Sequence, residues 1–199
     1  MMRELWESRY AEEEYAYGVK PNEFFKQEID KLEPGKLLMP GDGEGRNSIY
    51  AAGNGWEVDA IDWSAEAEKK AAQLARKNNV LVNFIVDDLR TFTVEREIYD
   101  AAALIYVHMG GKDREYLHRE VVKGLRPGGI LILEAFEKEQ LGKPSGGPKD
   151  PELLYSLEEV VEEFIDLDMK QLSRETIELD EGKHHIGKAT VVRFVGQKV

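Results

Sequence analysis

Three glycines set close together, directly after an apolar run, restrict this chain more than any other feature of its sequence. The stretch is Leu37-Leu38-Met39-Pro40-Gly41-Asp42-Gly43-Glu44-Gly45-Arg46-Asn47, and a helix-compatible segment, Asn47 to Ala52, follows at once. Strand, glycine turn, helix start is the order of the first crossover in a nucleotide-binding α/β sheet. Glycines let the backbone turn sharply at the carboxyl end of a strand. They also let a ligand approach main-chain N–H groups with no Cβ in the way. The spacing is G-x-G-x-G, and Arg46 stands where G-x-G-x-x-G requires its third glycine. A glycine-rich turn with no ligand would be spelled the same way, so the residues that follow decide.

Those residues are Trp56-Glu57-Val58-Asp59-Ala60-Ile61-Asp62-Trp63-Ser64. Val58, Ala60 and Ile61 suit a short second strand that ends in Asp62. Asp62 follows Gly45 by 17 residues, close to the roughly 20-residue offset of an acid that grips ribose hydroxyls. A carboxylate suits that task because it accepts from two vicinal hydroxyls together. The plainer role for Asp62 or Ser64 is the N-cap of the next helix.

At 199 residues the chain is expected to be one domain, residues 1–199, with an N-terminal helical lid over 1–33 and a Rossmann-like core over 34–199. A formal net charge of −12 opposes a nucleic-acid partner. No run approaches 18 apolar residues, and Met1-Met2-Arg3-Glu4-Leu5-Trp6-Glu7 lacks a signal-peptide core, so no membrane partner and a cytoplasmic location are expected. The chain has no cysteine, which excludes disulfides, thiolate metal sites and a thiol nucleophile.

Residues 3–33 read as two helical pieces broken at Gly18 and Pro21, the second running from Asn22 to Leu32 with Phe25, Ile29 and Leu32 on one face. Trp6, Arg9, Tyr10, Tyr17 and Asn22 either pack on the sheet or form a lid that keeps water from a bound ligand. After the glycine turn, a helix closes at Gly53-Asn54-Gly55. A second opens at Ser64 with acids in its first turn and bases later, in line with the helix dipole. Val82 to Val86 reads as a third strand ending at Asp87-Asp88-Leu89, and these acids either reach the ligand cleft or sit in a solvated turn. Tyr99 to Val107 is apolar throughout, as a strand buried on both faces should be. His108, at its end, is either a neutral core histidine or a general base.

A helix over 112–124 leads through Arg126-Pro127-Gly128-Gly129 to a fifth strand, Ile130 to Ala135. Residues 137–152 read as an irregular loop, followed by a helix from Ser156 to Phe164. Two strands, Met169 to Leu179 and Lys188 to Gln197, are expected to pair as a terminal hairpin. His184 and His185 would lie on or beside a strand and point to opposite faces, and His118 on a helix surface, so no metal site is expected. The pattern specifies an α/β fold: a Rossmann-like, seven-stranded, mostly parallel sheet with helices on both faces and a C-terminal antiparallel hairpin.

The motifs PGDGEGRN, VDAIDWS, IVDDL, YDAAALIYVHM and LRPGGILILEAF, in this order over about residues 36–136, resemble those of class I S-adenosylmethionine-dependent methyltransferases. The flanking WESRYAEEEYAYGVKPNEFF, GGPKDPELLY and EGKHHIGKATVVRF resemble the bacterial group related to tellurite-resistance and thiopurine methyltransferases. The resemblance implies S-adenosylmethionine as cofactor and methyl transfer to a small-molecule acceptor. It places Gly41, Gly43 and Gly45 under the methionine part, and Arg46 and Asn47 near its carboxylate. Asp62 would hold the ribose, Trp63 an adenine face, and Asp88 and Leu89 the adenine edge, with Ile105 and Tyr106 beside the sulfonium. Many members carry an acid two residues before the first glycine, where this chain has Met39, so the amine contact falls to backbone or to Asp42.

Soft sulfur, selenium or tellurium nucleophiles can accept the methyl group by in-line displacement without a protein base. An oxygen or nitrogen acceptor would more often need one, for which His108 is the candidate. His185 and the 143–150 loop are expected to shape the acceptor pocket. Two other functions stay open: a regulatory protein that binds the cofactor without catalysis, and an NAD-dependent oxidoreductase. The missing third glycine and sixth parallel strand weigh against the second. The acceptor's identity and the oligomeric state are not legible.

Overall fold

A computed structural model describes residues 2–199, with side chains from Trp6 onward. Among the described residues, seven strands form one sheet in the order β3-β2-β1-β4-β5-β7-β6. The strands are β1 (Lys36–Pro40), β2 (Glu57–Asp62), β3 (Asn83–Val86), β4 (Tyr99–Ile105), β5 (Leu125–Phe136), β6 (Leu167–Asp180) and β7 (Ile186–Lys198). The first five are parallel, β7 runs antiparallel to β5, and β6 pairs antiparallel with β7. β1 lies between β2 and β4, so strand order reverses there. The carboxyl ends of parallel strands open a crevice at such a reversal.

Side-chain alternation sorts the core into two layers. Leu38, Ile61, Ala102, Leu104, Leu131 and Leu133 face one side, where α5 (Gly111–Gly124) and α6 (Leu157–Glu163) cover them with Leu117, Val121, Val160 and Phe164. Leu37, Met39, Ala60, Ala101, Ala103 and Ile105 face the other, beneath Phe24, Phe25 and Ile29 of α2 (Glu23–Ile29) and Ala51 of α3 (Arg46–Gly53). α1 (Met2–Tyr10) enters neither layer. Its Tyr10 packs in a small separate cluster with Ala16 and with Ala67 of α4 (Ala65–Asn78).

Helix ends follow local chemistry. Ser64 accepts from the Ala67 N–H at the start of α4, and Asn79 closes that helix in the left-handed conformation. Ser156 and Glu159 form a reciprocal capping box on α6. Among the described residues, no helix is long and apolar enough to cross a membrane.

Several local expectations change. The second N-terminal helix spans only Glu23–Ile29: Asn22 caps its start by accepting from the Phe25 N–H, and Asp30 is its C-cap. The 137–152 segment carries short 3-10 turns at Lys138–Gln140 and Pro151–Leu153. His184 and His185 lie beside a strand, in the turn between β6 and β7, as expected. His118 is buried at 1% exposure, not on a helix surface, because it shares the inward stripe of α5 with Arg114 and Val121.

Candidate active site

The glycine turn occupies the crevice at the end of β1. Gly41, Gly43 and Gly45 have φ of +68°, +62° and +87°, a region that side chains with a Cβ rarely enter. A Cβ on Gly43 would stand 2.9 Å from the Tyr10 hydroxyl, and one on Gly45 would stand 2.8 Å from Ala71 Cβ. The first contact keeps the α1 cover close to the turn. The second seats α3 on α4. Gly45→Ala is therefore expected to lower stability by about 2 kcal/mol, measured by urea unfolding.

The turn is pinned from β2. Gly41 and Asp42 donate their N–H groups to the Ile61 carbonyl at 2.7 and 3.3 Å. The Asp62 carboxylate accepts from the Gly43 N–H and the Ser64 N–H, each at 3.0 Å. The capping role falls to Ser64, so Asp62 pins the Gly43 and Ser64 N–H groups and stands at the crevice. Asp42 is committed differently: its carboxylate accepts from the Ser48 hydroxyl at 2.5 Å and the Ser48 N–H at 3.3 Å, bracing the first turn of α3.

Burial pushes both acids up to about 6. The Ser48 bonds oppose the rise at Asp42, as the Ser64 and Gly43 bonds do at Asp62. Asp62 pushes Asp42 further up, and Glu7 does the same to Asp62.

A buried polar network lies beside the turn. Arg46 pairs with Glu181 at 3.0 Å and also donates to the Tyr17 carbonyl at 3.4 Å. Glu134, with 0% exposure on β5, accepts from Asn22 and from Arg193, each at 2.6 Å. Asn22 also donates to Glu181 at 3.0 Å, and its own N–H donates to Asn47 at 2.8 Å. His185 Nδ1 is 3.3 Å from Glu181, whose carboxyl is pulled down to about 2 by His185 and Arg46 against its burial.

The aromatic residues meet at the same place. Trp6 stacks on Tyr10 at 5.6 Å and lies 6.2 Å from Tyr17, and Arg9 sits over Trp6 and donates to the Tyr17 hydroxyl at 2.6 Å. Tyr17 lies 4.4 Å from His185, which is 4.7 Å from Tyr106. Tyr106 follows Ile105 at the end of β4 with φ of +55°, a strained setting for an aromatic residue. Its hydroxyl is buried without a hydrogen-bond partner among the described residues.

The rim is formed by Trp63 and Asp88. Arg90 binds both oxygens of Asp88 and lies 6.0 Å from the Trp63 ring. Leu89 packs toward Gly41, with its Cδ1 3.7 Å from where a Gly41 Cβ would stand.

His108 is half-buried and held by backbone, not free as a base. Its Nδ1 bonds the Leu153 carbonyl at 2.7 Å, and its Nε2 accepts from the Phe136 N–H at 3.4 Å. Both ring nitrogens are thus engaged with backbone, and burial pushes its pKa down to about 4. Sequence reasoning overlooked Glu134, Glu181 and Arg193. The acid inside the apolar run Ile132-Leu133-Glu134-Ala135 was the available signal, since a buried strand carries a charge only when it is paired.

Residues 38–129 match the family model described as Methyltransferase domain, which spans the glycine turn, Asp62, Asp88 and Tyr106. Over that span, just under half of its length, the chain is similar to S-adenosylmethionine-dependent methyltransferases. The chain is 30% identical over 136 residues to the glycine/sarcosine N-methyltransferase of Halorhodospira halochloris, covering 65% of this chain and 47% of that one. It spans about half the length of the curated relatives it matches.

Among solved structures, it resembles one concerned with the conversion of a disulfide bond into a thioacetal group during echinomycin biosynthesis. The TM-score is 0.80 at 16% identity, covering 100% of this chain and 92% of that one. It also resembles TehB from Haemophilus influenzae, with a TM-score of 0.74 at 16% identity, covering 88% and 61% respectively. These two likenesses concern the fold.

Proposed function

We propose that this chain transfers the methyl group of S-adenosylmethionine to a small-molecule acceptor. The observation that carries this reading is the junction of the left-handed glycines with Asp62, tied through the Gly43 N–H. The residues fit the cofactor in two further respects. An acid with two oxygens stands at the end of β2, and an orphaned buried hydroxyl, Tyr106, stands at the end of β4. When bound, the cofactor supplies a methyl group already activated on a sulfonium.

The chain's own residues bind, orient and exclude water. Asp62 would hold the ribose, Trp63 an adenine face, and Asp88 and Leu89 the adenine edge. Gly41, Gly43 and Gly45 would underlie the methionine part, with Ile105 and Tyr106 beside the sulfonium. Asn47 would stand near the methionine carboxylate. Arg46 acts chiefly through Glu181, holding the β6–β7 turn over the site. Trp6, Arg9, Tyr10, Tyr17 and Asn22 form the cover, so residues 1–33 serve as lid and 34–199 as core of a single domain.

A soft sulfur, selenium or tellurium acceptor fits best, because the base candidate His108 is engaged on both nitrogens. The flanking motifs support the same acceptor class. For an oxygen or nitrogen acceptor, His185 oriented by Glu181 is the better-placed base. Transfer of label from methyl-labelled S-adenosylmethionine should be measured with thiols, selenite, tellurite, catechols and glycine. Labelled thiols or volatile selenides and tellurides support the soft acceptor. Label only on oxygen or nitrogen overturns it, and binding without transfer to any acceptor indicates a regulatory protein.

A further inference from the structure

A second buried network, on the opposite face of the sheet from α2 and α3, reaches the glycine turn from behind. His118 of α5 has its Nδ1 2.5 Å from Glu163 Oε2 and its Nε2 3.2 Å from the Tyr155 hydroxyl. Arg114 donates to Glu163 Oε1 at 2.8 Å through Nε, with Nη2 at 2.7 Å, and lies 4.7 Å over the Tyr155 ring. The Tyr155 hydroxyl donates to the Val107 carbonyl at 3.0 Å.

Val107 connects this network to the cofactor crevice. Its Cγ2 lies 2.9 Å from where a Gly41 Cβ would stand, and it directly follows the left-handed Tyr106. The segment around Tyr155 is itself fixed. The Tyr155 N–H donates to the Phe136 carbonyl, the Lys138 N–H to the Tyr155 carbonyl, and Leu153 receives His108.

Hydrogen counting gives the network a direction. A phenol has one hydrogen. With that hydrogen on the Val107 carbonyl, the contact to His118 requires a hydrogen on Nε2. Nδ1 lies 2.5 Å from Glu163 Oε2, a close contact without hydrogen-bond geometry that fixes the ring which presents Nε2 to Tyr155. Without the Nε2 donor, the phenol oxygen loses the contact that fixes its position, and its bond to the Val107 carbonyl is held less firmly.

We propose that Tyr155 is a positioning residue for the cofactor turn, acting through Val107 on Gly41 and Tyr106, with His118 and Glu163 setting the direction of its hydroxyl. The proposal rests on assigning that turn to the cofactor. Hydrogen–deuterium exchange of residues 37–46 and 104–110, compared with β2, is the test, because a merely structural loss would spread over the whole sheet. Tyr155→Phe should accelerate exchange in those two segments about tenfold while leaving β2 unchanged, and should weaken S-adenosylmethionine binding about tenfold. His118→Gln, which keeps an N–H toward Tyr155, should behave closer to the parent than His118→Leu.

Val160→Ala, in the same core layer, supplies the comparison. It should lower the melting temperature with parental exchange at the turn relative to β2 and parental affinity. Tyr155→Phe exchanging uniformly faster, or no faster than the parent at the turn, would overturn the proposal. If the parent binds no S-adenosylmethionine, the cofactor assignment fails, while the exchange comparison still decides whether Tyr155 positions the turn.

Discussion

Asp62→Asn is expected to raise the melting temperature of the free protein at pH 7 while weakening S-adenosylmethionine binding about a hundredfold. The stability gain follows from the direction of the pKa shift. Burial raises Asp62 from 3.8 to about 6, so the folded state holds the proton more tightly than the unfolded chain. Stability from this group is therefore greatest below pH 4, falls as pH rises to about 6, and stays low above that. Asparagine carries no charge to bury, but it accepts poorly from both the Gly43 and Ser64 N–H groups.

The balance is a gain of about 1 kcal/mol, or about 3 °C. Thermal unfolding from pH 4 to pH 8 should show the parent losing this increment and the variant not losing it. The same titration affects binding. Protonation removes one of the acceptor oxygens that a ribose needs, so the parent's affinity should fall about tenfold from pH 7 to pH 5. An Asp62→Asn variant that binds as tightly as the parent would remove the ribose role.

Glu134→Ala is expected to cost about 3 kcal/mol and to lower the melting temperature by about 10 °C. Glu134 is fully buried and receives Asn22 and Arg193 at 2.6 Å each. Without it, Arg193 keeps only Glu175, at 2.7 Å, and Asn22 keeps Glu181. A cation half-stripped of its partners in a dry site is the source of the loss. Glu134→Gln, which still offers one acceptor, should lose less than half as much. Urea unfolding of the two variants checks the order, and equal losses would mean that packing, not charge, sets the cost. Asn22 caps α2 and belongs to the cover, so the alanine variant should also loosen residues 11–22 toward proteolysis.

The sheet was legible because its signals are local. Apolar runs of strand length, glycine turns and capping residues recur in the βα order, and each lies within about ten residues of the element it specifies. The place of Asp62 at the end of β2 was legible for the same reason: its distance from the glycine turn is set by a single helix. The polar network was not. Asn22 meets Glu134 across 112 residues of sequence, and Arg46 meets Glu181 across 135. No local pattern encodes such pairings.

His108 shows the limit from the other side. A histidine at the end of a buried strand has the same spelling whether it serves as base or as anchor, and only the Leu153 carbonyl decides. His118 was readable in principle. It lies four residues after Arg114 and three before Val121, on the stripe that α5 turns toward the sheet. The left-handed turn at Tyr106 left no trace, because nothing in Ile105-Tyr106-Val107 requires a positive φ.

The central claim is that the turn from Gly41 to Gly45, with Asp62, is built for S-adenosylmethionine. Calorimetric titration of the purified protein with S-adenosylmethionine, S-adenosylhomocysteine and NAD(H) tests it most directly. Saturable binding of the first two at one site per chain, and none of the third, is expected. Binding of NAD(H) alone, or of none of the three, would contradict it.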